Sequence, residues 1–367
     1  MFQTLTSLLI ISLPLAAAAR APGTYAQLRS ELQKASRANL VEWVNGVVTA
    51  AKPTRMVGTP GHAAARDYLT QTLRKLDPKG TGALAVSARP PEIEAVKKFY
   101  QADFDAKIEG KIPAAHPEYV KWKRFTEHMK ALAEAKKAAP VENISWEKAG
   151  LDAGKVLVVT AHYDTISHDK GTLLVDERAP MPGANYNASG VAVALGLVKV
   201  LAGIDLNYSV RVVFLDWQGI GYHGSELYAR ELRASGKTVL GVVNLEMLGQ
   251  DTSYFDKTKK TGNLSVYHRD LAEEQRWVLK LLEHGAKMTT KVSFAPKATG
   301  FENSDNIRFW EAGFLAATFS QNWEDDFNPK FYQTAQDTPE TLNHETLWNA
   351  YQFVGGAVAG VLLDLTK

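Results

Sequence analysis

At 367 residues with 45% hydrophobic content, the chain is long enough to bury a large core and has the composition of a globular protein. Its 42 Lys and Arg against 40 Asp and Glu leave a formal charge of +2, too even to draw the chain to nucleic acid or to an acidic surface. The count of zero cysteines excludes disulfides, thiolate metal sites and lipidated cysteine together, so any metal would have to be held by His, Asp and Glu.

Leu8 to Ala19 (LLIISLPLAAAA) is an apolar run ending in small residues before Arg20. It is shorter than the roughly 20 residues that cross a bilayer. It fits a signal peptide over 1–19, with export to the periplasm or the exterior and no membrane span. Residues 20–367 then read as one domain. Tyr25 to Ala51 is helical, and RMVGTPGHAAARDYLTQTLRKL (Arg55–Leu76) turns at Pro60-Gly61 into a helix with Tyr68, Leu69, Leu73 and Leu76 on one side.

Pro90 to Ala139 is predicted to be an inserted helical hairpin. Ile93, Val96, Tyr100 and Phe104 mark one arm, and Tyr119, Trp122, Phe125, Met129 and Leu132 the other. Packing on the main domain is its plainest role; a cap over a pocket and a homodimer contact are the alternatives. Trp122 and the lysines around it read as a solvated helix surface, not a nucleic-acid face.

Five apolar, β-branched segments are predicted strands: Val156–Ala161, Val210–Leu215, Leu240–Met247, Leu264–Tyr267 and Leu315–Phe319. Helical patterns fall between and after them, at Ser189–Leu201, Ser225–Arg233, Leu271–His284 and Asp305–Glu311, and in a final stripe from Leu347 to Leu365. Near-continuous apolar strands alternating with helices predict an α/β fold, a mixed and mostly parallel sheet with helices on both faces.

In such sheets, functional residues gather beyond the carboxyl ends of the strands. Those positions carry AHYDT (Ala161–Thr165), PGANYNASG (Pro182–Gly190), FLDWQGIGYHGS (Phe214–Ser225) and VNLEMLG (Val243–Gly249). SDNIRFWEAG (Ser304–Gly313) and YQTAQDTPETL (Tyr332–Leu342) follow. In order and spacing these loops, with GTPG (Gly58–Gly61), resemble the zinc aminopeptidases of metallopeptidase family 28. The resemblance implies their fold and, in an intact member, two zinc ions held by His, Asp and Glu. One Asp would bridge both ions, and a Glu would deprotonate the metal-bound water.

Placed on this chain, the resemblance keeps His162 as a ligand and Asp164 as the carboxylate that orients it. The bridging Asp falls on Tyr186, the general base on Gln218, the neighbouring ligand Glu on Gly219 and the closing His on Gln333. The fourth-loop Asp falls on Glu246, a carboxylate on a longer arm. His162 and Glu246 alone are fewer than the three protein ligands of a catalytic zinc. Gln218 cannot accept a proton, a loss of roughly 10²–10⁴ in rate.

His168, Asp169, Asp176, Glu177, Asp216, His223 and the run Glu324–Asp326 lack tight ligand spacing and read as ordinary loop groups. Ser189 in NASG sits in no nucleophile elbow. The remaining residues are expected to be structural. His162 is held by Asp164, Glu246 is paired to a neighbour and Tyr186 fills the metal space. Asn185 and Asn187 shape a turn, and Ser304 and Asp305 cap a helix. The expectation is an exported, non-catalytic binding or assembly module without a cofactor, taking a peptide or protein ligand. An active zinc aminopeptidase or related hydrolase with a rearranged site is the alternative.

Overall fold

The computed structural model describes residues 21–250, 264–324 and 329–365. The expected signal peptide and the acidic pair Asp325 and Asp326 lie outside them.

The described residues form one sheet with eight strands. These are β1 (Ala83–Arg89), β2 (Val141–Lys148), β3 (Asp152–His162), β4 (Tyr208–Leu215), β5 (Thr238–Leu245), β6 (Leu264–Tyr267), β7 (Phe294–Lys297) and β8 (Ala316–Gln321), in the order β1-β2-β4-β3-β5-β8-β6-β7. The central β4, β3, β5 and β8 run parallel, while β2 lies antiparallel to β1 and β4, and β6 to β8. The mixed α/β fold read from the sequence is the fold observed.

Why β3 is apolar without interruption is clear from its surroundings. Successive side chains of a strand point to opposite faces. Leu157, Val159 and Ala161 enter the larger core with α1 (Tyr25–Leu32), α2 (Arg37–Ala50), α3 (Pro60–Leu76), α6 (Ser189–Leu201), α8 (Ala272–Ala286) and α10 (His344–Leu362). Val156 and Val158 enter a smaller core under α7 (His223–Ala234) and α9 (Asn306–Glu311). Both faces are covered, so no polar alternation survives.

Three differences from the sequence reading have local causes. The helical stretch at Tyr25–Ala51 breaks in two because Ser36 starts a new helix. Its hydroxyl accepts from the Asn39 amide at 3.2 Å while the Asn39 side chain accepts from the Ser36 amide at 3.1 Å. Strands β1 and β2 were hidden, since VENISWEK is only intermittently apolar and β1 is a largely exposed edge. The segment Ala184–Leu201, in a chain read as having no membrane span, is apolar enough to cross a membrane by length and composition, but 94% of it is buried inside the fold.

The connection from β1 to β2 holds the hairpin, α4 (Ile93–Lys107) and α5 (Pro117–Ala135). Edge-to-face ring pairs join the two arms, Tyr100 to Phe125 at 6.0 Å and Phe104 to Tyr119 at 5.4 Å between centroids. The hairpin does more than pack on the domain. Phe99, Phe104, Trp122 and Phe125 form the roof of a cavity of about 880 Å³ above the strand tips.

Candidate functional site

Strands β3, β4 and β5 end side by side, because their parallel register sets Thr160 beside Val213 and Asn244. Their next residues, His162, Gln218, Gly219 and Glu246, therefore meet at one edge of the sheet. The loop carrying Tyr186 is brought to the same edge by two groups that sequence reasoning missed. Arg55, buried, donates to the carbonyls of Tyr163 (2.7 Å), Pro182 (2.5 Å), Gly183 (2.9 Å) and Tyr186 (3.3 Å). Burial lowers its pKa to about 10, against the pull of Asp337 and Asp164, so it stays cationic at neutral pH. The Asp337 carboxylate accepts from the amides of Asn185 (2.8 Å) and Tyr186 (2.9 Å). Neither lies at a metal-ligand position, so only the fold reveals their part.

The turn before α6 is fastened to the end of β5 by side-chain amides. Asn187 Nδ2 donates to the Leu245 carbonyl at 2.8 Å, and Asn187 Oδ1 accepts from the Met247 amide at 2.9 Å. Asn185 Oδ1 accepts from the Gly249 amide at 2.8 Å. Ser189 bonds the Asn185 carbonyl and the Leu248 amide.

With its backbone so held, Tyr186 projects between the rings of His162 and Tyr332. Its ring lies 4.8 Å from the His162 ring and 5.3 Å from that of Tyr332, centroid to centroid. Its hydroxyl donates to Gln218 Oε1 at 2.5 Å, and the whole side chain is 1% exposed. Burial drives the phenol pKa well above 10, so it is a neutral phenol and a poor metal ligand. Tyr186, Gln218, Gly219 and Gln333 line the inner wall of the cavity, whereas His162, Glu246 and Asp305 lie outside its lining. Tyr186 separates the two.

Behind it sit charged groups with unmet bonding capacity. His162 Nε2 and Glu246 Oε1 are 3.9 Å apart, and neither has a hydrogen-bond partner among the described residues. Both oxygens of the buried Asp305 carboxylate also lack one. Burial pushes Glu246 up to about 7 and Asp305 up to about 6. For His162, burial opposes protonation, but Asp164, Glu246 and Asp305 outweigh it and raise the pKa.

Two roles differ from the sequence reading. His162 Nδ1 faces the backbone carbonyl of Asp164 at 3.1 Å, with that residue's carboxylate farther away at 3.7 Å. The carboxylate instead accepts from the amides of Gln218 (3.1 Å) and Gly219 (3.0 Å) and fixes the third loop. Ser304 and Asp305 do not cap α9 with their side chains. Ser304 donates to Glu246 and accepts from Asn244, and Asp305 is drawn inward with it. The sequence pattern of a cap was present, but a buried carboxylate on β5 competed for the serine.

The donor set does not fit a zinc pair. At Gly219 even a Cβ would come within 2.8 Å of Ile166, so the side chain of a ligand glutamate has no room. Tyr186 and Gln333 offer a phenol and a neutral amide where a carboxylate and an imidazole are needed. The other acidic and histidine loop groups are engaged elsewhere, as the sequence reading expects of ordinary loop groups: Asp216 bonds His62 at 2.7 Å, His223 bonds Glu226 at 3.0 Å, and Asp169 bonds Thr172. Among the described residues no three His, Asp or Glu side chains are grouped to hold a metal ion.

The sequence model of peptidase family M28 matches residues 143–358, more than half of the chain. The chain belongs to peptidase family M28. Among its relatives, aminopeptidase YwaD of Bacillus subtilis is 28% identical over 212 residues, covering 55% of this chain and 40% of that protein. A probable zinc metalloprotease of Pyrenophora teres f. teres is 23% identical over 231 residues, 62% of this chain and again 40% of that protein. The chain thus matches well under half the length of these relatives. Among solved structures, the LapA aminopeptidase of Legionella pneumophila aligns with 100% of this chain and 81% of its own at a TM-score of 0.64 and 15% identity. A glutaminyl cyclase of Bacteroides thetaiotaomicron aligns with 90% and 98% at 0.58 and 15%. At such identities the structures show a shared M28 fold.

Proposed function

We propose that this chain is a non-catalytic M28 protein that binds a peptide-like ligand in the cavity under its helical hairpin and acts outside the cytoplasm. The observation that carries this reading is the position of Tyr186: a neutral, buried phenol stands between the cavity it lines and the His162–Glu246 remnant it packs against. The base position holds Gln218, whose Oε1 already accepts that phenol. The apolar run Leu8–Ala19 supports export, and the hairpin offers a surface for a second copy or a partner.

Purified protein without a histidine tag is expected to contain no stoichiometric zinc and to release no amino acid from aminoacyl-anilides, with or without added zinc. Release of amino acid that chelators abolish would overturn the proposal. One observation favours a second reading, a hydrolase with a rearranged site: His162 Nε2 and Glu246 Oε1 are left facing each other without partners. That reading requires near-stoichiometric metal, so the same elemental analysis decides between them. N-terminal sequencing of mature protein beginning near Arg20 checks the export expectation.

A further inference from the structure

We infer that the cavity under the α4–α5 hairpin takes a ligand with a bulky aromatic body and a carboxylate head, and disfavours amines. The inference rests on the non-catalytic reading above. It concerns what the cavity recognises once Tyr186 has cut it off from the buried carboxylates.

The body of the ligand follows from the roof. Phe99, Phe104, Trp122 and Phe125 line a space of about 880 Å³ together with Tyr222 and Tyr332, and Phe99 already packs edge to face on Tyr222 at 5.8 Å between centroids. Pockets that enclose drug-sized molecules span about 300–1,000 Å³, so the space suits a ring-bearing ligand and not a lone ion. The roof rings already meet edge to face, Trp122 and Phe125 at 5.6 Å between centroids, and a ligand ring can join in the same geometry.

The head follows from the polar groups. The inner wall, Tyr186, Gln218, Gly219 and Gln333, carries no formal charge. Gln218 Oε1 is taken by Tyr186, which leaves its amide N–H groups to serve a ligand acceptor. The carboxylates on the outer wall are each matched. Asp103 and Glu302 flank Lys107 at 2.7 and 3.3 Å, and Glu311 pairs with Arg308 at 2.9 Å. Lys170, at the mouth, makes its contacts among the described residues with the Tyr332 carbonyl (2.5 Å) and ring (5.1 Å to its centroid), both uncharged. An incoming carboxylate gains a cation and amide donors. An incoming ammonium meets like charge and finds Glu246 and Asp305 sealed away.

A free N-acyl aromatic amino acid and the C-terminal residue of a peptide share this chemistry. Calorimetric titration of the full chain with N-acetylphenylalanine, acetyl-Ala-Ala-Phe and phenylalaninamide separates the cases. Both acids are expected to bind at least about tenfold more tightly than the amine, the difference a charge-assisted hydrogen bond makes. Tighter binding of the peptide assigns the site to peptide ends, and equal binding to the single residue. Lys170→Gln should weaken both acids and leave N-acetylphenylalaninamide unchanged, and Gln218→Glu should move the preference toward phenylalaninamide. Equal or tighter binding of the amine by the unmodified protein, or no binding of either acid at millimolar concentration, overturns the inference. Zinc-dependent hydrolysis would instead sink the non-catalytic reading, whereas a metal-free, inactive protein indifferent to the carboxylate sinks this inference alone.

Discussion

Replacing Tyr186 by Phe removes one oxygen and leaves the ring. That hydroxyl donates to Gln218 Oε1 at 2.5 Å, and the two residues are 1% and 5% exposed. Losing a buried hydrogen bond while its acceptor stays unmet costs about 1–3 kcal/mol. Gln218→Leu takes away the phenol's acceptor but leaves it the neighbouring Gln333, and should cost somewhat less. The double variant, with both polar atoms gone, should cost clearly less than the sum, because matched apolar groups are nearly neutral where a lone polar group is not. The coupling is expected at about 1 kcal/mol or more, read by urea unfolding with the slope against denaturant unchanged. Tyr186→Ala removes the ring as well, and on the scale of buried aromatic truncations should cost about 3–5 kcal/mol. A coupling within about 0.3 kcal/mol of zero would refute the reasoning, since the residues would then be adding as if independent. The plug would in that case be held by its backbone alone.

The remaining predictions concern the supports of the plug and the charges behind it. Asp305 has a folded pKa raised from 3.8 to about 6 by burial, so its contribution to stability is complete below pH 3.8 and lost as pH rises through 6. A shift of about two units corresponds to about 3 kcal/mol, and Asp305→Asn should flatten the fall in unfolding free energy between pH 4 and 7 by about that much. An unchanged pH profile would count against a desolvated Asp305. Arg55→Met strands carbonyls of Tyr163, Pro182, Gly183 and Tyr186, and should destabilise by about 3–5 kcal/mol in urea unfolding. Gly219→Ala should cost about 1–3 kcal/mol through overpacking against Ile166, and less in an Ile166→Ala background, as seen in melting temperature.

Much of the scaffold could be read in one dimension because its causes are local. A strand covered on both faces is apolar at every position, which exposes Val156–Ala161 and Val210–Leu215 without knowledge of their partners. The hairpin arms repeat aromatic residues at helical spacing, so Ile93–Lys107 and Pro117–Ala135 were legible. Strand β1 was not: an exposed edge has no buried face to impose a pattern, and only its pairing with β2 makes it a strand.

The sequence by itself determined the family, and which residues stand at the loop positions that the resemblance sets for metal donors. The identity of a residue in a loop needs no coordinates: Tyr186, Gln218, Gly219 and Gln333 are a phenol, two amides and a glycine at the positions where the resemblance would set carboxylates and an imidazole. Only the tertiary structure decided what those substitutions do. Tyr186 owes its direction to Arg55 and Asp337, from opposite ends of the chain, and it shuts His162 and Glu246 away from the cavity. The Asp164 carboxylate turned to backbone amides of the third loop, and Ser304 turned to Glu246 across 58 positions of sequence. A polar side chain goes to the partner that satisfies it best once water is excluded, and here those partners come from distant strand ends that meet only when the sheet is assembled.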